Sequence, residues 1–169
     1  MERENLELHI AFKAKCIVIE KHNIGKLTLW HVPSDEFSKY KVLFSYFFMK
    51  VIDENIGDKY YEVVKRVNPD IIQVFGTESD LGMVLFKTNI PTVFHIQAVY
   101  HSYFHKYFSG LSQEDVRHFT LLKLKIKLMS SLNDYHRRKK VVMREKAYYE
   151  KSKYFLGRTD WDRRCASIL

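Results

Sequence analysis

Apolar and polar residues alternate over the first part of the chain, then give way to a helical period. Leu6, Leu8 and Ile10 alternate with Glu7 and His9, which predicts a half-buried strand over Leu6–Phe12. A short β-branched run, Cys16–Ile19, predicts a second strand, His22–Gly25 a turn, and Lys26–Val32 a third strand ended by Pro33. Ser34 and Asp35 offer a helix cap. From Glu36 to Val67 the apolar positions recur at helical spacing, with Gly57–Asp58 as a break and Asn68–Pro69 as the stop. Two continuous apolar runs follow, Asp70–Phe75 and Thr92–Ile96. Between them Thr77 and Ser79 are placed to cap a short helix reaching Lys87. Runs of this kind, separated by helix, predict buried parallel strands. Ser112–Lys151 reads as helix, Lys153–Gly157 as a short strand, and Asp160 starts a helix still running at Leu169.

Strands alternating with helices predict an α/β fold: a Rossmann-like parallel sheet with helices on both faces. One domain over residues 1–169 suits the length. In open sheets of this class ligands sit beyond the carboxyl ends of parallel strands. Three segments leave such ends: Gly76-Thr77-Glu78, Gln97-Ala98 and Gly157-Arg158-Thr159. They predict one crevice. The carboxylate of Glu78 and the amide of Gln97 suit sugar hydroxyls. The guanidinium of Arg158 suits a phosphate or carboxylate. The competing reading of each is structural: a helix cap for Glu78, a satisfied amide for Gln97, a salt bridge to Glu78 or Asp162 for Arg158, and domain packing for Trp161.

Charge changes the picture in one place. The chain carries a net +8, and residues 121–153 hold eleven Lys or Arg against three acids, so this segment carries the whole imbalance. A basic helical insertion over 112–151 therefore has an anionic surface as its expected partner. Lys123, Lys125 and Lys127 interleave with leucines, and Arg137, Arg138, Lys139 and Lys140 follow. Such a mix suits the headgroup layer of a membrane, and a solvated helix face is the plainer reading. The charged start MERENLELH is no signal peptide, and no apolar stretch is long enough to span a bilayer. The expected location is the cytoplasm, with peripheral docking on the membrane's inner face. Cys16 and Cys165 are far apart in sequence and offer no metal or redox motif. His101 and His105 are spaced i, i+4 without an acidic or cysteine partner nearby in sequence. No nucleophile, base or paired-carboxylate device emerges, so no catalytic residue is assigned.

Three segments carry a resemblance: Asn68-Pro-Asp-Ile-Ile-Gln-Val-Phe-Gly-Thr-Glu78, Ile90-Pro-Thr-Val-Phe-His-Ile-Gln97 and Tyr154-Phe-Leu-Gly-Arg-Thr-Asp-Trp-Asp162. In this order the chain resembles the N-terminal domain of family 4 glycosyltransferases of the GT-B fold, in particular a bacterial branch serving capsule and exopolysaccharide synthesis. The resemblance implies a retaining hexosyltransferase that takes a nucleotide-sugar as substrate and needs neither metal nor other cofactor. It implies that this domain holds a sugar acceptor, lipid-linked in many relatives, and that a C-terminal domain absent here holds the donor. It makes Gly76, Thr77, Glu78, Gln97, Arg158, Thr159 and Asp162 the substrate-cleft candidates. The pattern's first strand and glycine-rich loop have no counterpart, Gln73 and Phe75 replace its histidines, and Ala98 replaces its glycine. The chain is thus expected to be a truncated acceptor-side half, inactive alone. Two other classes stand beside this reading: a non-catalytic binding or scaffold remnant of a glycosyltransferase, and a basic nucleic-acid-binding domain.

Overall fold

A computed structural model describes residues 6–47, 55–112, 114–115 and 131–168. Their strands form two three-stranded sheets rather than one. The first is ordered β1-β3-β2, from β1 (Leu8–Ala14), β2 (Glu20–Ile24) and β3 (Leu27–Pro33). In it β1 runs parallel to β3, pairing Leu8 with Leu27 through Ala14 with Pro33, and β2 is antiparallel to β3. The second is ordered β4-β5-β6, all parallel, from β4 (Ile72–Phe75), β5 (Thr92–His95) and β6 (Tyr154–Leu156). The protein is α/β with mixed parallel sheets, consistent in general terms with a Rossmann-like arrangement.

Two local expectations need correction at the start of the chain. Cys16–Ile19 is bend rather than strand, and His22–Asn23 lies inside β2 instead of a turn. The turn falls one step later, at Gly25–Lys26. Gly25 has φ 59°. That sign at the first central position of a two-residue hairpin loop is what a type II′ turn requires, and its twist matches the paired strands.

The predicted long helix is divided. After a 3-10 turn, Asp35–Phe37, come α1 (Lys39–Phe47) and α2 (Ile56–Val67). Ser34 caps the 3-10 turn by accepting the Glu36 N–H. Gly57 and Asp58 sit in the first turn of α2, not between helices. A Cβ on Gly57 would lie 3.0 Å from Met83 Cβ, so the glycine lets α2 approach the following 3-10 segment, Asp80–Phe86. Asn68 ends α2 in the left-handed conformation, its N–H donating to the Val64 carbonyl at 2.7 Å.

The helix α2 buries Ile56, Tyr60 and Val63 against Trp30, Val32 and Val84. Fully burying an aliphatic side chain of this kind contributes about 1.5–3 kcal/mol. The alternate positions of β1 stay open: Leu8, Ile10 and Phe12 are 52%, 42% and 39% exposed. Among the described residues, helices therefore cover one face of this sheet, not both. Between the two sheets lies an apolar cavity of about 360 Å³, lined by β1 on one side, β4 on the other and α2 between. Both β1 and β4 are outer strands of their sheets.

The second half of the chain is held by aromatics. The helices are α3 (Tyr100–Phe104), α4 (Ser131–Lys151) and α5 (Asp160–Ile168). Phe94 of β5 is fully buried and stacks on Tyr148 of α4 at 5.0 Å, and Tyr149 stacks on Phe155 of β6 at 4.7 Å. Ile96, Val99, Tyr149 and Cys165 make a further small core beneath α5. Of the expected 112–151 insertion, α4 is helical, and residues 116–130 lie outside the described residues. Among the described residues, no helix is long and apolar enough to cross a membrane.

Candidate functional site

The three segments singled out in the sequence leave adjacent strands at one end of the second sheet. The Gly76 N–H donates to the His95 carbonyl and the Ile96 N–H to the Leu156 carbonyl, both at 2.9 Å. The loops then bind one another directly. Thr77 Oγ1 lies 3.1 Å from the Ala98 carbonyl, and Arg158 Nη2 donates to the Gln97 carbonyl at 2.6 Å. Gly76 has φ 88°, a left-handed conformation that favours glycine at this corner, with the Glu78 carboxylate folded back over it.

Beside this end is a cleft of about 430 Å³. Phe12 and Lys13 enter it from the end of β1, Glu36 from the turn after β3, and Glu78 to Leu81 from the loop after β4. Arg137, Lys140, Val141 and Arg144 enter from one side of α4, at the helical spacing of 3 and 4. Lys13 Nζ bridges Glu36 at 2.5 Å and Asp80 at 2.6 Å, tying the ends of the two sheets together. Arg144 Nη2 donates to the Glu78 carbonyl at 2.7 Å, and the Tyr148 hydroxyl to the Ser79 carbonyl at 3.2 Å. Glu78 Oε2, Ser79 Oγ and Arg144 Nε are buried without a hydrogen-bond partner among the described residues. A buried polar atom left so costs about 1–3 kcal/mol.

The candidate residues thus separate into two groups. Glu78 lines this cleft. Gly76, Thr77, Gln97, Arg158, Thr159 and Asp162 build the adjoining corner, where most of their polar groups are turned on one another. Asp162 Oδ2 accepts the N–H groups of Arg158 at 2.8 Å and Thr159 at 3.0 Å. These backbone hydrogen bonds hold its carboxyl below the ordinary value, against the effect of burial. Trp161 is 62% exposed and does not pack the domain.

One organising group of this corner was not among the sequence candidates. Glu145 of α4 is fully buried. Its carboxylate takes the Thr77 hydroxyl at 2.5 Å, the Tyr100 N–H at 3.0 Å and the His101 N–H at 2.7 Å. It therefore closes the start of α3, whose first N–H groups have no partner within the helix. Burial pushes the Glu145 carboxyl above the usual carboxylate range, while the bonds from Thr77 and His101 pull the other way. Thr77 Oγ1 stands within reach of both acceptors, Glu145 being the nearer. The available signal was an acid on the apolar stripe Val142, Glu145, Tyr148, Tyr149 of a helix otherwise rich in cations.

The basic run of α4 divides by helical phase. Arg137 and Lys140 face the cleft, whereas the Arg138 guanidinium lies over the rings of Tyr100 and Tyr107, at 5.6 and 5.5 Å, with its Nε 2.5 Å from Asp134. Burial and the bond to Asp134 push the Tyr107 hydroxyl up to about 12. Lys139 and Lys140 border an open surface depression with His136 and Met143. Lys123, Lys125 and Lys127 lie outside the described residues. Both cysteines are free. His101 and His105 bring their Nε2 atoms to 3.4 Å. The chain matches no family model, no curated protein and no solved structure.

Proposed function

We infer that this chain is the acceptor-binding half of a retaining, nucleotide-sugar-dependent glycosyltransferase of the GT-B kind, working in polysaccharide or glycoconjugate synthesis. The observation that supports it most is the placement of the three family-like segments at neighbouring strand ends, beside a cleft with unsatisfied buried polar atoms. Glu78 and Arg144 are the groups that engage the acceptor there. A carboxylate takes two vicinal hydroxyls, and a guanidinium offers a planar fork to a phosphate or uronate. Lys139 and Lys140, on the same helix, turn the cleft toward an anionic bilayer where a lipid-linked acceptor resides.

The resemblance assigns the donor to another domain, so binding rather than turnover is the readout. Saturation-transfer NMR of the purified chain with neutral and acidic oligosaccharides, and with a sugar linked to a short polyprenyl phosphate, tests the reading. Saturable binding that falls at least about tenfold in Glu78→Ala, the loss of roughly 1.4 kcal/mol, supports it. Absence of binding to every glycan, or undiminished binding by the variant, overturns it. Cosedimentation with anionic vesicles at low salt, and release at high salt, tests the membrane arm. A stronger salt-sensitive shift with RNA or DNA than with vesicles favours the nucleic-acid reading instead.

A further inference from the structure

On the hairpin, three side chains converge that have no part in the cleft. The register places Glu20 of β2 opposite His31 of β3, and His22 follows Glu20 on the same face. His22 Nε2 is 3.5 Å and His31 Nδ1 3.9 Å from the same Glu20 oxygen, and one donor atom of each residue lies within 4.8 Å of the other two. The imidazole centroids are 4.5 Å apart, and the Phe12 ring edge backs His31 at 4.8 Å.

The gaps decide what this cluster is built for. They exceed the roughly 2.7–3.2 Å of an N–H···O hydrogen bond. They approach the edge of about 3.4 Å of a tetrahedron whose donors stand about 2.0–2.1 Å from one ion. Both imidazoles stand beyond ordinary hydrogen-bond length from the one carboxylate oxygen they share, as ion-pair neighbours. We propose that Glu20, His22 and His31 form a surface site for a zinc-class divalent cation, with water completing the coordination. Two imidazole nitrogens and a carboxylate oxygen suit zinc and its spectroscopic substitute cobalt, whereas calcium and magnesium prefer all-oxygen sets. The side chains are 30–50% exposed, which leaves entry and the fourth position open. Every residue of β2 is exposed and β2 is an outer strand, so a bound ion staples it to β3. Among the described residues, no other group of three His, Cys, Asp or Glu brings its donors this close.

The test titrates the reduced, tag-free chain with Zn²⁺ by calorimetry and with Co²⁺ by visible absorption. One equivalent, a tetrahedral cobalt spectrum and a raised melting temperature are expected. Glu20→Gln, His22→Gln and His31→Gln each weaken Zn²⁺ binding at least about tenfold, no less than loss of an outer-shell partner does elsewhere, with unchanged far-UV circular dichroism. The double variant His101→Gln/His105→Gln binds as the unaltered chain does. The proposal is overturned if binding does not saturate, if the first three variants bind normally, or if the loss follows His101 and His105. Should His31→Gln disturb the fold, the two positions on the exposed strand β2 decide.

Discussion

Removing the Glu145 carboxylate tests how the corner at the strand ends is held. Glu145→Ala leaves the part-buried N–H groups of Tyr100 and His101 without their acceptor, while Thr77 keeps the Ala98 carbonyl at 3.1 Å. Two part-buried orphaned donors, each near the lower end of about 1–3 kcal/mol, give a loss of roughly 2–3 kcal/mol, before any cavity term. That is a large share of an ordinary stability of about 5–15 kcal/mol. Glu145→Gln keeps an acceptor for one N–H and supplies an amide donor for Thr77, so its cost is about 1–2 kcal/mol. Urea unfolding followed by circular dichroism measures both. The pH dependence has a definite sign. A carboxyl raised by folding contributes stability present below its ordinary value of 4.5 and lost as pH rises through its folded value. The destabilisation by Glu145→Gln, measured against the unaltered chain, therefore shrinks as pH rises from about 4.5. A Glu145→Ala loss under about 1 kcal/mol refutes the knot. A Glu145→Gln difference that grows with pH refutes a carboxyl raised by burial and assigns control to the hydrogen bonds.

Other positions give independent checks. Gly82→Ala puts a Cβ 2.6 Å from Phe94 and 2.8 Å from Tyr148, and overpacking of this sort lowers stability by about 1–3 kcal/mol, read as a shifted urea midpoint. Lys13→Met strips the buried Asp80 of its 2.6 Å partner; a loss of about 3–5 kcal/mol follows, and Lys13→Arg recovers most of it in the same assay. Asp162→Asn weakens the turn at Arg158 and Thr159 by about 1 kcal/mol. Its carboxyl is lowered by folding, so this contribution is present above the ordinary value of 3.8 and lost as pH falls through the folded value; unfolding at pH 3 and pH 6 shows the difference. Leu8, Ile10 and Phe12 form an open apolar strip, so the chain self-associates in sedimentation velocity and Ile10→Lys reduces it.

Where the sequence was legible, a strong local pattern was matched by the local environment. The continuous runs at Ile72–Phe75 and Thr92–His95 became parallel strands and Asn68 stopped α2 with a left-handed cap, but β4, expected to be buried, is an outer strand that leaves Gln73 and Phe75 exposed. The hairpin slipped because Cys16–Ile19 has strand-like side chains but lies before the turn that sets the register. Gly25 fixes that register, and pairing with β3 then runs through Glu20–Ile24 whatever their polarity. Division into two sheets was illegible for a different reason: periodicity reports that a strand is buried, not which strand lies beside it. Lys13, Glu145 and the cluster on Glu20 were missed likewise. Lys13 and Glu145 acquire their roles from partners far along the chain, as Glu145 does from Thr77, 68 residues away, and the Glu20 cluster acquires its role from the hairpin register.

The same separation explains what positions the cleft. Its near wall joins the end of β1 to the segments that follow β3 and β4, and its far wall belongs to α4. Lys13 links β1 to the loop after β4, and Arg144 and Tyr148 hold that loop's carbonyls from α4. Glu145, one residue after Arg144, fixes Thr77 and α3 from the opposite side of the helix stripe. Helix α4 therefore performs two tasks with adjacent residues. Cations at positions 137, 140 and 144 face the cleft, while the stripe at 142, 145, 148 and 149 is buried in the second sheet's core. A change in the stripe moves the cations, because one rigid helix carries both. For that reason a substitution at Glu145 is expected to displace Arg144 in the cleft wall as well as to lower stability.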